Sequence, residues 1–186
     1  MNKFKLRRKI LKIRKKNSNR KLEINLNKFF SFLEINKLKS KNIGGYFPSN
    51  FEIDDLKILE MMEKKNFNVS LPVIKENNQM NFLQWSRNDP LKINKFWILE
   101  PISSKIIVPD ILLVPLVSFD NELNILGYGG GFYDRYIQKI EKVKKVIKIG
   151  LAFSYQKIKK IPTNKFDRKL DFIITEKEIL QWEFYF

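Results

Sequence analysis

Apolar positions recur along this chain with two periods, and the changes between them divide it into elements. Over residues 2–16, Leu6, Ile10 and Ile13 recur at steps of four and three, which predicts an amphipathic helix with a basic surface. Lys3, Arg7 and Arg14 fall on one side of it, because offsets of four and eleven return nearly to the same helical angle. Asn17 to Asn19 interrupts the pattern. Leu22, Leu26, Phe29, Phe30 and Leu33 predict a second helix over 21–37, with one face in a core. Residues 43–47 predict a short strand stopped by Pro48. Asp54 and Asp55 then stand where a helix start favours acids, ahead of Leu56, Leu59 and Met62.

Residues 69–74 and 82–85 predict two further strands, joined across a turn at Asn77 and Asn78. Pro90, Pro101 and Pro109 mark 86–109 as a long irregular connection. By contrast, 111–119 is almost unbroken in its apolar character despite Pro115, as a strand buried on both faces of a parallel sheet must be. A helix over 132–143, with Tyr133, Tyr136, Ile137 and Ile140 inward, and strands over 146–153 and 172–175 complete the order. Strands alternating with helices predict a three-layer α/β/α fold with a mostly parallel central sheet. No repeat, flexible linker or low-complexity tail divides the 186 residues, so one domain over 1–186 is expected.

Composition narrows the chemistry. At 44% hydrophobic and 13% aromatic, the chain is too apolar for disorder. No apolar run reaches the roughly 18 to 20 residues that span a bilayer, which argues against a membrane protein. The basic N-terminal stretch has no apolar block behind it, so the expectation is a cytoplasmic monomer without a secretory signal. Cysteine and histidine are both absent, which excludes disulfides, thiolate nucleophiles, His-based triads and His or Cys zinc sites. What remains is carboxylates, Lys and Arg, hydroxyls, backbone amides and bound metal, an inventory suited to phosphoryl transfer. Lys and Arg outnumber Asp and Glu by 36 to 20, a net charge of +16. That excess fits a polyanionic ligand, nucleic acid included. Because the charge is spread along a chain rich in Lys, Asn and Ile, compositional drift accounts for it better than a dedicated nucleic-acid face.

The richest chemistry lies in 125–135, reading I-L-G-Y-G-G-G-F-Y-D-R. Gly127, Gly129, Gly130 and Gly131 stand between a buried strand and a helix start, where backbone N–H groups can meet a phosphate. The segment is neither a Walker A loop nor a dinucleotide fingerprint, since no Gly-Lys-Ser/Thr follows and Phe132 takes the third glycine position. A tight strand-to-helix turn would use the same glycines. Asp134 can offset the helix dipole or, beside a phosphate loop, hold Mg²⁺. Asp167, in I-P-T-N-K-F-D-R, is a second candidate ligand or a solvated loop acid.

The order and spacing of these motifs resemble the 5-formyltetrahydrofolate cyclo-ligase family from end to end. The K-x-x-L-R opening is matched by Lys3, Leu6 and Arg7, and the glutamate after the first strand by Glu52. N-K-F-x-I-L-E-P runs from Asn94 to Pro101, and P-x-x-x-F-D from Pro115 to Asp120, leading into the glycine loop and Tyr133 to Arg135. Pro162 and Asp167 close the match. The resemblance implies an α/β/α domain of the NagB/RpiA/CoA-transferase-like fold. It implies a ligase that uses ATP and Mg²⁺ to cyclise 5-formyltetrahydrofolate to 5,10-methenyltetrahydrofolate. Lys3, Arg7, Leu126, Gly127, Tyr128, Gly129, Gly130, Gly131 and Arg135 would then bind ATP. Asp134 and Asp167 would hold Mg²⁺, and Phe47, Glu52 and Tyr133 would contact the folate. Tyr133 and Asp134 would be the catalytic pair.

The chain departs from the family pattern at four places. Ile125 stands where the family usually has Arg, Leu123 where it often has Gly, Gly130 where some members have Lys, and Trp97 where glycine is common. Ile125 is expected either to point along the bound triphosphate, leaving it short of one cation, or to belong to the core.

Overall fold

The structure, a computed structural model, describes residues 2–38, 40–75 and 79–181. Its centre is a seven-stranded sheet in the order β11-β10-β9-β6-β1-β2-β3. The strands are β1 (Asn42–Gly44), β2 (Asn68–Ile74), β3 (Met80–Gln84), β6 (Ile111–Pro115), β9 (Ile147–Leu151), β10 (Phe172–Ile174) and β11 (Ile179–Gln181). Neighbours from β10 through β9, β6 and β1 to β2 are parallel, and the two edge strands are antiparallel. The expected fold class, a mixed α/β domain with a mostly parallel sheet, is what forms.

Alternation along β6 explains the layers. Ile111 and Leu113 point into one apolar cluster, Leu112 and Val114 into another, and all four are fully buried. The first cluster is closed by α2 (Leu26–Ile35) through Phe29, Phe32 and Leu33, and by α3 (Leu56–Lys64) through Ile58, Leu59 and Met62. The second is closed by α4 (Phe132–Ile140) through Tyr136, Ile137 and Ile140. The remaining helix, α1 (Lys3–Lys16), does not cover the sheet. Leu6 and Ile10 pack with Val117, Leu126 and Ile161 in a third, smaller cluster beyond the end of β6.

Several expected boundaries move for identifiable reasons. The second helix begins at Leu26 rather than residue 21, because the Asn25 side chain accepts the Lys28 N–H at 3.0 Å and caps it there. The apolar run 111–119 is not one strand. Pro115 ends β6, and the chain turns into a short antiparallel pair, β7 (Ser118–Phe119) with β8 (Ile125–Leu126). The connection 86–109 is not irregular throughout: β4 (Leu91–Ile93) pairs with β5 (Leu99–Pro101). Its turn is held by Asn94, whose side chain accepts the N–H groups of Phe96 at 2.8 Å and Ile98 at 3.1 Å. Trp97 follows in the left-handed region at φ 61°, which explains why glycine suits that place, and its side chain is 87% exposed. The Asn77–Asn78 turn lies outside the described residues.

Leu113→Ala empties a fully buried position on the first face, so it should lower unfolding free energy by about 2–5 kcal/mol in urea titrations. A loss below about 1 kcal/mol would mean that this face is loosely filled.

Candidate active site at the carboxyl edge of the sheet

Three adjacent parallel strands, β9, β6 and β1, end at one edge of the sheet, and the loops after them carry the expected site residues. From β1 the chain goes on to β2 on one side. From β6 it goes on to β9 on the other. Loops that leave neighbouring strands in opposite directions open a crevice, which in α/β sheets is where ligands are held. Glu52 follows β1, the glycine loop follows β6, and Asp167 follows β9.

The loop's conformation needs its glycines. Gly129 at φ 107° and Gly131 at φ 65° lie in the left-handed region, and a Cβ on Gly130 would come within 2.5 Å of the Phe132 ring. Gly131 precedes the first turn of α4, whose N–H groups have no acceptor within the helix. Arg135 turns back over the loop: Nη2 donates to the Gly130 carbonyl at 2.9 Å, and the guanidinium lies 5.3 Å from the Phe132 ring centre.

Across this loop lies α1. Arg7 Nε donates to the Gly127 carbonyl at 2.7 Å, and Lys3 Nζ donates to Asp167 Oδ2 at 2.5 Å. Both cations expected from the first helix therefore stand beside the loop. Two residues that lead into the loop pack into apolar clusters. The Leu126 side chain is buried among Leu6, Ile10, Val117 and Ile161 and helps to seat α1, and its carbonyl accepts the Val117 N–H at 2.8 Å. Ile125 is half-buried against the second apolar cluster, which favours its core reading.

Asp134 and Asp167 come close enough for charge repulsion to add to burial in raising the Asp134 pKa. The Arg168 N–H, donated to Asp134 Oδ1 at 3.0 Å, acts the other way. Asp167 also accepts the Asn164 N–H at 2.6 Å. Among the described residues no cluster of three or more acidic side chains could enclose a metal. Two carboxylates beside an anion loop suit Mg²⁺, which commonly takes one or two carboxylates and completes its shell with phosphate oxygens and water.

The other half of the crevice is built around Glu52. Burial raises its pKa, while the Tyr128 hydroxyl, the Ser49 N–H at 2.7 Å and the charge of Arg14 lower it. Phe47 is half-buried against the first cluster. Tyr133 sets its ring edge-on to Phe82, with a buried hydroxyl that meets no protein partner, and burial pushes its pKa well up. Two groups here escaped the motif reading. Arg14 is 1% exposed and donates to the Tyr128 hydroxyl at 2.5 Å and the Leu116 carbonyl at 2.6 Å. Its place on the Lys3–Arg7 side of the helix, in register with Ile10, was the available signal. Asp55 is fully buried, accepts the Tyr46 N–H at 2.9 Å through Oδ2, and leaves Oδ1 without a partner.

Such a crevice can seat a polyphosphate and a divalent cation at the glycine loop, beside a partly enclosed organic substrate with a carboxyl group facing it. A crevice of this kind marks an α/β enzyme. The chain belongs to the 5-formyltetrahydrofolate cyclo-ligase family, whose model matches residues 1–176, and it is a ligase of that family. It is 37% identical over 140 residues to the 5-formyltetrahydrofolate cyclo-ligase of Haemophilus influenzae, covering 72% of this chain and 74% of that one. The 5,10-methenyltetrahydrofolate synthetase of Aquifex aeolicus superposes with a TM-score of 0.74 at 30% identity, covering 97% of this chain and 93% of its own. The Mycoplasma pneumoniae synthetase shares the fold at a TM-score of 0.72 and 24% identity, over 95% of this chain and all of its own.

Asp55 gives a pH signature. Burial raises its folded pKa well above the ordinary 3.8, so its contribution favours folding below that value and is lost as pH rises toward the folded pKa. Asp55→Asn keeps an oxygen for the Tyr46 N–H and removes that loss. Its stability relative to wild type should therefore grow as pH rises above about 4 in urea titrations. A constant difference would show that Asp55 is charged in the fold.

Proposed function

We propose that this chain, as a cytoplasmic monomer, converts 5-formyltetrahydrofolate and ATP to 5,10-methenyltetrahydrofolate, ADP and phosphate, with Mg²⁺ required. The observation that carries the reading is the seating of α1 on the glycine loop. It brings Lys3, Arg7, the loop amides and both carboxylates to one edge of the sheet. Membership of the family supports the same substrates. No helix among the described residues is long and apolar enough to cross a membrane.

The N5-formyl group is amide-like and a poor electrophile. Its oxygen attacks the γ-phosphorus, the bond to ADP breaks, and an iminium phosphate results. N10 then attacks the former formyl carbon, loses its proton, and phosphate departs with the original oxygen. Phosphate is the leaving group that simple dehydration lacks. Lys3, Arg7 and the N–H groups at Gly129 to Gly131 would hold and offset the triphosphate charge. Asp134 and Asp167 would hold Mg²⁺, which supplies charge neutralisation at the phosphates. For that, Lys3 must share Asp167 or swing to phosphate, a short movement for a flexible ammonium. Glu52 and Phe47 would orient the folate, and Tyr133, between both halves, would align formyl oxygen and phosphorus. A nucleic-acid role has less support, because Phe29, Phe82 and Phe119 are core residues rather than a stacking surface.

Incubation with 5-formyltetrahydrofolate, ATP and Mg²⁺ should produce methenyl-folate absorbance. Product formed under excess chelator, or none in the complete mixture, would overturn the reading. Asp134→Asn should keep its melting temperature, since an oxygen remains for the Arg168 N–H, but lose about a hundredfold or more in kcat/KM. Wild-type turnover would reduce Asp134 to a helix-start acid. Lys3→Ala with Arg7→Ala should raise the KM for ATP about tenfold or more, with the folate KM little changed. Unaltered nucleotide dependence would mean that the two cations serve only to dock the helix.

A further inference from the structure

The motif reading leaves Arg14 without a role, and its surroundings are unusual for a cation. Its side chain is buried, yet the acceptors of its guanidinium are neutral: the Tyr128 hydroxyl at 2.5 Å, the Leu116 carbonyl at 2.6 Å and, more distantly, the Asn50 carbonyl at 3.4 Å. Among the described residues, Nε meets no acceptor. A buried cation without a directly paired anion is a costly thing to keep for packing alone.

Two of those acceptors, Tyr128 and Asn50, lead to Glu52. Asn50 and Phe51, the two residues before it, both lie in the left-handed region, at φ 48° and 59°. Consecutive non-glycine residues there persist only where surrounding contacts hold them. Arg14 supplies one such contact at Asn50, and Ser49 supplies another by donating to Glu52 Oε2 at 2.7 Å. The Tyr128 hydroxyl held by Arg14 also faces the Glu52 carboxyl. One guanidinium on α1 therefore touches the loop that carries Glu52, the tyrosine beside Glu52, and the glycine-loop segment of which that tyrosine is part.

We propose that Arg14 is a positioning residue for the folate: through Tyr128 and the Asn50 carbonyl it fixes the place of the Glu52 carboxyl. Lys3 and Arg7 sit on the same helix at the phosphate end, so α1 joins the nucleotide and folate halves of the crevice. The proposal rests on the assignment of Glu52 to the folate. A plain structural pin, fastening α1 to Leu116, would use the same burial but would not discriminate between the two substrates.

Steady-state kinetics on the full chain separate these accounts, with Glu52→Gln, Arg14→Gln, Tyr128→Phe and the Arg14→Gln/Tyr128→Phe pair. Tyr128→Phe removes only the hydroxyl that faces Arg14 and Glu52 and leaves the glycine-loop main chain for ATP, so it and Arg14→Gln should each raise the KM for 5-formyltetrahydrofolate by about tenfold, with the ATP KM within about twofold. The pair should cost less than the product of the two, because both act through Glu52. The groups facing Glu52 are Arg14, Tyr128, Tyr133, Tyr46 and Asp55. Arg14 is the cation among them, so its loss raises the Glu52 pKa and moves the acidic limb of folate kcat/KM to higher pH. If Arg14→Gln does not fold, Tyr128→Phe decides alone, since its ring is partly exposed and its burial is unchanged. Unchanged folate KM in Tyr128→Phe, a rise confined to ATP, or a melting-temperature loss with both KM values intact would overturn the proposal. Unchanged folate KM in Glu52→Gln would instead remove the assignment of Glu52, and this proposal with it.

Discussion

The interior position of β1, between β6 and β2, is the constraint from which the rest follows. A chain that begins its sheet at an interior strand must build outward in two directions, first to β2 and then, after crossing back, to β6. The loops beyond these two strands cannot follow one another, and the gap between them is the one place at that edge where backbone amides can stay free of strand partners. Gly127 to Gly131 and the Glu52 loop occupy its two sides. Neither motif would make a site at another pair of strands, because adjacent loops that turn the same way fill the space between them.

With no imidazole available, the crevice is tuned through carboxyl groups and what surrounds them. Glu52, Asp55 and Asp134 are all pushed upward chiefly by burial, and they differ in what opposes it. Glu52 has a tyrosine hydroxyl, a backbone N–H and a cation. Asp134 has a backbone N–H and Lys3 against the repulsion of Asp167. Asp55 has chiefly the Tyr46 N–H, and it is the most strongly raised in character. Three acids of similar intrinsic strength are thus raised to different degrees without any unusual residue. The net charge of +16 says little about the site itself, where Lys3 faces Asp167 while Arg7 and Arg135 are held by loop carbonyls.

Much of the architecture was legible from period and punctuation alone. The helical stripe of Leu6 and Ile10, the apolar run beginning at Ile111, and the glycine cluster before Phe132 all fell where expected, because each is encoded by residues close in sequence. The failures have the opposite character. The apolar run was overextended, since Pro115 removes a donor that periodicity does not count. The hairpin from Leu91 to Pro101 was hidden by its prolines, although Asn94 marks its turn. Leu126 and Ile125 lie in a loop that looks functional yet turn toward cores whose other members are distant in the chain. Arg14 is the clearest case. Its acceptor at Leu116 is 102 positions away, so its register with Ile10 can place it on the inward side of the helix but not say what it meets there.

The same arrangement has a consequence in time. Residues Lys3 and Arg7 leave the ribosome long before their partners, which lie 164 and 120 positions further on. At about 5–20 residues per second, that is a wait on the order of ten to thirty seconds. During it the apolar stripe of α1 has nothing of its own to cover it, since Val117, Leu126 and Ile161 have yet to emerge. The segment α1 is therefore made before the residues that seat it, and the crevice is complete only when residues 117–167 have reached it.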